Sequence, residues 1–317
     1  MNNQLQLVVD SFLKADGNML SMEELKEKGC ISSLDQFGSN YRLEQMGDYG
    51  YRLIKEQLLF TQQRFTETVQ TEFIGKQVYF FDTVSSTQRI AKKLTMNQVE
   101  EGTMIIAEEQ TDGRGRMARK WHSQKGGLWF SFIVKPEIPI ATAPQLTLLT
   151  AVAVVRTIED LLPLHPKIKW PNDILLHGKK VCGILTELQA TDGNIEAVII
   201  GVGLNVNQQK EAFPEDIRKK ATSISLETGM IVDPISLLKG FCFQFEQLYK
   251  LFLQHGFQQI KNMWEQSCET IGKEVTATTF KGTVKGEAFG ISDEGALLLK
   301  EKDGSVLRIF SADIDGS

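Results

Sequence analysis

Past Gln77 the chain alternates short β-rich runs with helical segments. Three of those runs, 128–134, 181–188 and 197–206, read as strands of a single sheet. Earlier runs at 78–81 and 104–108 have the same character. Helical periodicity holds over 144–162 until Pro163 stops it, and 235–252 carries an aromatic stripe of Phe241, Phe245, Leu248 and Phe252 that reads as a helix packed on the sheet. From 272 to 314 the pattern changes to short alternating strands punctuated by Gly282, Gly286, Gly290 and Gly295, with a buried run at 296–299. That stretch predicts a small β-barrel.

The first part of the chain differs again. Leu5, Val8, Val9, Phe12 and Leu13 recur at helical spacing, Gly17 supplies a stop, and Ser21 with Glu24 forms a capping box opening a helix over 22–28. The stretch 41–53 reads as a hairpin, with Gly47, Asp48 and Gly50 turning the chain and Tyr49, Tyr51 and Leu53 alternating. Helix, helix and hairpin give a winged-helix outline. A polar stretch over 55–72, low in Gly and Pro, reads as a helical or extended connector and not as a core element, and a domain boundary is expected near Phe73.

A length of 317 residues with 42% apolar content supports more than one domain, while a net charge of −5 excludes a surface that embraces nucleic acid as a whole. No apolar run of bilayer-spanning length is expected, and the first ten residues lack the basic start and apolar core of a signal, so a cytoplasmic protein without membrane attachment is expected. Cys30, Cys182, Cys242 and Cys268 are widely spaced, which suggests neither a zinc site nor a disulfide framework.

Against this acidic background, the nine residues from Gly113 to Trp121 hold four cations, Arg114, Arg116, Arg119 and Lys120, and two glycines, Gly113 and Gly115. Glycine lets phosphate oxygens approach main-chain N–H groups, and arginine offers planar donor forks, so the run predicts an anion site. It lacks the Gly-Lys-Ser/Thr ending of a P-loop, and no dinucleotide-type glycine pattern follows a strand. Further motifs accompany it: Ser86-Thr87-Gln88, Lys169-Trp170-Pro171-Asn172-Asp173, the run from Lys179 to Leu185, and Gly201-Val202-Gly203-Leu204-Asn205.

In this order and approximate spacing the motifs resemble those of the biotin-protein ligases, in the form that often doubles as the biotin-operon repressor. The resemblance implies an α+β protein: an N-terminal winged helix-turn-helix over 1–54, divergent and shortened, a linker over 55–73, a central mixed-sheet class II synthetase-like ligase domain over 74–270, and an SH3-like C-terminal barrel over 271–317. It also implies that ATP and Mg2+ activate biotin to biotinyl-5'-adenylate. The biotinyl group would then pass to a lysine of the biotin carboxyl carrier protein of acetyl-CoA carboxylase or a similar domain. Operator DNA and a homodimer of the adenylate-bound form are the further partners implied.

Carried over by the match, Lys180 would lie between the biotin carboxylate and the α-phosphate and act electrostatically, while Arg114 and Arg116 close over both groups with Gly115 between them. Arg119 and Lys120 would serve the departing pyrophosphate. Ser86, Thr87, Gln88 and Gln110 match positions that hold biotin, whose ureido ring offers both donors and an acceptor. Ser86 also reads as the cap of a helix beginning at Thr87. Gly183 marks a strand position where a ligand approaches the backbone, Trp121 walls the pocket or packs beneath the loop, and Asn205 is placed to read an adenine edge. Asp173 is the candidate magnesium ligand, although a carboxylate after a proline turn often only bonds nearby N–H groups.

The match weakens at the amino end. The stretch 31–49 holds one cation, Arg42, against Asp35, Glu44 and Asp48, and Gly38 with Ser39 interrupts a helix there. So little positive charge predicts feeble DNA binding and a repressor function weakened or lost. The rival readings are a lipoate-protein ligase and a biotin-sensing regulator without chemistry. The basic loop and the Lys169 to Asp173 block argue against the first, and Lys180 with the loop cations argues against the second.

Overall fold

The computed structural model describes residues 11, 15, 19–28, 41–46, 49–55, 62–280 and 282–315. They fall into two compact units, Met1–Thr61 with Ile231–Ile235, and Gln62–Met230 with Ser236–Ser317.

In the first unit, strands β1 (Met19–Ser21), β2 (Tyr41–Gln45) and β3 (Gly50–Lys55) form an antiparallel sheet in the order β1-β3-β2. The expected hairpin is therefore present, and β1, too short to show a sequence pattern, adds a third strand. The helix Met22–Glu27 opens with the predicted capping box: Glu24 N–H donates to Ser21 Oγ at 3.2 Å, and Ser21 N–H donates to Glu24 Oε2 at 2.8 Å. The first expected helix, the turn at Gly47 and Asp48, the interruption at Gly38 and Ser39, and Cys30 lie outside the described residues.

The second unit is built on a seven-stranded sheet. Its strands are β4 (Val78–Val84), β5 (Met104–Gln110), β6 (Leu128–Val134), β7 (Lys167–Lys169), β8 (Asp173–Leu176), β9 (Lys179–Thr191) and β10 (Asn194–Leu204), in the order β4-β5-β6-β10-β9-β8-β7. Only β4 and β5 run parallel, so the sheet is mixed as expected. All seven residues of β6 are buried, which suits a central strand covered on both faces.

Side chains alternate across a strand, and each face of β6 has its own cover. On one face Phe130 and Phe132 meet the aromatic stripe of the helix Pro234–His255, with ring centroids 5.0 Å apart for Phe130–Phe241 and 4.6 Å for Phe132–Phe245. On the other, Ile105, Ile133 and Ile199 pack with Ala91 of the helix Thr87–Leu94. Where that helix begins, the sheet face is left open and forms the floor of the site described below.

The stretch read as a polar connector contains the helix Gln62–Thr68, whose Phe65 is fully buried. Contrary to expectation, Ile140–Leu161 is long and apolar enough to cross a bilayer, with 22 residues at hydropathy 1.3. The helix Gln145–Leu161 inside it has 12 buried residues and packs on β9 and the helix Gln258–Ser267, which makes it a core helix. Cys182 and Cys242 are buried, and burial pushes both thiols up. Five further strands, β11 (Glu274–Thr279), β12 (Gly282–Ile291), β13 (Leu297–Lys300), β14 (Val306–Ile309) and β15 (Asp313–Asp315), form an antiparallel sheet in the order β14-β13-β12-β11-β15. β14 and β15 are its two ends, with no ladder between them among the described residues.

Candidate functional site

A cavity of about 740 Å³ opens over β9 and β10, within the usual size range of small-molecule sites. Every residue singled out from the sequence as a ligand contact lines it: Ser86, Thr87, Gln88 and Gln110 from one side, Arg114 to Arg116 with Arg119, Lys120 and Trp121 from the basic loop, and Asp173, Lys180, Gly183 and Asn205 from the sheet.

The sheet end is a closed set of neutral hydrogen bonds. Thr87 N–H donates to Gln110 Oε1 at 2.8 Å, and Gln110 Nε2 donates to Ser123 Oγ at 2.9 Å. Ser131 Oγ donates to Gln88 Oε1 at 2.9 Å and lies 2.8 Å from Thr87 Oγ1. Gln88 Nε2 reaches the main-chain oxygen of Ile199 at 3.2 Å. Ser86 stands at the N-cap of the helix Thr87–Leu94 and is buried, but its side chain makes no capping bond, so that half of its expected role is not seen. Ser131 was missed in the sequence. It is the one polar residue in a strand that otherwise reads Leu-Trp-Phe and Phe-Ile-Val, and such a lone hydroxyl is the signal that marks it.

Lys180 is aimed by a β-bulge. β8 and β9 pair Asp173 with Gly183 and Ile174 with Cys182, then Leu175 with Lys180, so Val181 is an extra residue. Without the bulge, residues 180 and 183 would face opposite sides of the sheet; with it they share the cavity face. Lys180 Nζ accordingly lies 2.6 Å from Asp173 Oδ1 and 5.1 Å from the centre of the Trp121 ring. What approaches the bare backbone of Gly183 and Gly203, which pair across β9 and β10, is Trp121: a Cβ would come within 2.9 Å of its ring at Gly183 and 2.3 Å at Gly203.

The basic loop is a tight hairpin and not an open nest. Gly115 N–H, expected to be bare, donates to Arg119 O at 2.7 Å, and Trp121 N–H donates to Gly113 O at 2.9 Å. Met117 and Ala118 at its tip take φ of 54° and 58°, a strained region for side-chain-bearing residues that concentrates at functional sites. Arg116 donates to Asn172 Oδ1 at 3.1 Å and to Ser311 Oγ at 2.7 Å. Burial lowers its pKa, with Asp173 and Asp313 opposing, and a guanidinium in this setting stays charged. Arg119 forms a two-toothed ion pair with Asp313, its Nη1 at 3.0 Å from Oδ1. Arg114 is 3.6 Å from Asp112, which also holds Arg89. Asn172, to which the sequence motif assigns no role, bridges Arg116 to Ile184 O, its Nδ2 donating at 2.7 Å. No sequence signal marks Ser311 and Asp313, which arrive from the end of the chain by tertiary packing.

Asn205 is 4% exposed, and both ends of its carboxamide are engaged within the protein: Nδ2 donates to Thr222 O at 2.9 Å and Oδ1 accepts from Gln208 Nε2 at 3.4 Å. Among the described residues no group of three His, Cys, Asp or Glu side chains is arranged to hold a metal ion.

Residues 80–205 match the Biotin/lipoate A/B protein ligase family, and residues 270–315 match the biotin protein ligase C-terminal domain. The chain is 43% identical over 318 residues to the bifunctional ligase/repressor BirA of Bacillus subtilis, with 97% of each chain covered. It is 32% identical to a biotin--[acetyl-CoA-carboxylase] ligase of Paracoccus denitrificans, covering 62% of this chain and 83% of that one. The solved structure of a biotin protein ligase from Aquifex aeolicus in complex with biotin and ATP has a TM-score of 0.67 at 32% identity, covering 76% of this chain and 100% of that chain. By these similarities the chain belongs to the biotin protein ligase family.

Proposed function

We propose that this protein activates biotin with ATP and transfers the biotinyl group to a lysine of a biotin carboxyl carrier protein. A biotin carboxylate oxygen attacks the α-phosphorus, a P–O bond forms and pyrophosphate leaves; the carrier amine then attacks the acyl carbon and AMP leaves. The observation that carries this reading is the meeting, in one cavity, of a neutral polar pocket, a cluster of cations and Lys180.

Thr87, Gln88 and Ser131 offer donors and acceptors to the ureido ring, and Lys180 offsets the repulsion between carboxylate and α-phosphate. Arg114 and Arg116 take the carboxylate and α-phosphate, and Arg119 and Lys120 the pyrophosphate, which would replace Asp313 as the partner of Arg119. Asn205 shapes the adenine end together with Trp121. A magnesium ion would neutralise phosphate charge. Asp173 fits as one hard-oxygen ligand, and since among the described residues no group of three potential metal-binding side chains includes it, the other ligands would be phosphate oxygens and waters.

Biotin-dependent exchange of labelled pyrophosphate into ATP tests the first half-reaction. The expected result is exchange that requires biotin and is lost in Lys180→Ala; a well-folded parent without exchange would favour a sensor of biotin that has no chemistry.

A second activity, repression at an operator, is favoured by the match to the Bacillus subtilis ligase/repressor, which at 97% coverage includes the N-terminal unit. With Arg42 the one cation among residues 31–49, binding is expected to be weak and salt-sensitive. Electrophoretic retardation at physiological salt checks this, and nanomolar adenylate-dependent binding would overturn the expected weakness.

A further inference from the structure

A strap at 220–222 stitches Lys180 to Asn205. Lys180 N–H donates to Lys220 O at 2.8 Å and Thr222 N–H donates to Lys180 O at 3.0 Å, so the lysine's main chain is bonded to the strap at both of its polar groups. On the other side, Thr222 O accepts from Asn205 Nδ2 at 2.9 Å, and Ile224 N–H donates to Asn205 O at 3.1 Å. Behind the strap sits Glu227, in the short helix Ile224–Thr228. Its Oε1 accepts from Thr222 Oγ1 at 2.5 Å, and its Oε2 lies 2.5 Å from Nδ1 of His177 in the turn that leads into β9. One carboxylate thus ties the strap to the turn that precedes Lys180. Glu227 does not line the cavity, whereas Lys180 and Asn205 do.

We infer that Glu227 is a positioning residue for the nucleotide end of the site, acting through Thr222 on Lys180 and Asn205. The inference rests on the ligase reading above. Burial acts to raise the carboxyl pKa of Glu227, but the hydrogen bonds from Thr222 and His177 outweigh it and hold the group below the ordinary range, so it stays an anion that only accepts. The hydrogen bonds of Thr87, Gln88 and Ser131 go to Gln110, to one another and to the main chain of Leu185 and Ile199, none of them to the strap, so loss of the Glu227 bond is expected to act first on the nucleotide end.

The test is pyrophosphate exchange on the full chain with ATP and biotin varied separately, with biotin affinity measured by calorimetry without ATP and folding followed by circular dichroism. Glu227→Ala is expected to raise the ATP KM about ten-fold while the biotin Kd stays within about two-fold. Glu227→Gln keeps an acceptor for Thr222 and is expected to restore the ATP KM to within about three-fold of the parent. Thr222→Val removes the same bond from the other side and is expected to match Glu227→Ala, and it decides the matter if the alanine variant does not fold. An unchanged ATP KM, or ATP and biotin parameters worsening together, overturns the inference. A parent without biotin-dependent exchange overturns the ligase reading and this inference with it.

Discussion

At the sheet end of the cavity Thr87, Gln88 and Ser131 are buried and satisfy one another, whereas at the loop end the cations of Arg114 and Arg119 have side chains 53% and 65% exposed and are held by single carboxylates. The first set is neutral and fixed in advance, so its geometry is part of the fold. The second consists of exposed ion pairs, each contributing about 0–1 kcal/mol, which a phosphate can replace at little cost. On the function proposed above, the difference lets one site recognise a small neutral ring by shape and a polyanion by exchange of partners. Lys180 lines the same cavity, and with the electrostatic role proposed for it the largest expected effect belongs there: Lys180→Ala should lower biotin-dependent exchange by about 10²- to 10³-fold with the melting temperature little changed. A variant that keeps most of its exchange would show that the loop cations suffice.

Ser131→Ala breaks the neutral end. It leaves Gln88 Oε1 without its donor in a buried place, while Thr87 Oγ1 keeps its bond to Gln110 Oε1 at 3.1 Å, which should lower stability by about 1–3 kcal/mol and weaken biotin about ten-fold, with the ATP KM near that of the parent. If ATP and biotin weaken alike, the two ends are one network and the contrast fails. Calorimetry with biotin and thermal melting together read this.

How much of this was legible in the sequence follows the range of the interactions. β6 has the expected bounds because its composition decides it, and the capping box at Ser21 and Glu24 is present because it closes over three residues. The motif residues line one cavity because the resemblance already placed them together. The bulge at Val181 was not legible: the register of β8 against β9 is a pairing property, and it alone turns Lys180 towards Gly183. Asp313 and the strap at Thr222 were missed for the same reason, since their partners lie 194 residues away at Arg119 and 17 at Asn205. Gly115 was misread because its composition suggested a bare N–H, and a local turn uses that group.

Glu246 sharpens the contrast from outside the cavity. Its side chain is 3% exposed, and its carboxylate accepts from Glu72 N–H at 2.8 Å, Phe73 N–H at 3.0 Å and Ile74 N–H at 3.2 Å. Burial acts to raise its pKa, but these main-chain bonds hold it below the ordinary value. A folded pKa lower than the unfolded one, about 4.3, gives stability that is complete above that value and is lost as pH falls through the folded pKa. Melting temperatures of the parent should therefore drop below about pH 4 more steeply than those of Glu246→Gln. Equal acid limbs would show that the carboxylate is not held as its bonds imply.

The smallest effect on stability is expected where the exchange argument is most exposed, at Arg119 and Asp313. Asp313 is 33% exposed at its side chain, so Asp313→Asn should change stability by no more than about 1 kcal/mol. If phosphate replaces this carboxylate when ATP binds, the carboxylate competes with the ligand, and Asp313→Asn should leave the ATP KM equal to or below that of the parent. Arg119→Ala should instead raise the KM several-fold, and that rise should shrink with added salt, since an exposed cation is screened over about 8–10 Å at physiological ionic strength. Only the arginine variant thus raises the KM, although both variants break the same pair. A rise in both would mean that Asp313 orients Arg119 for the phosphate and does not stand in its place.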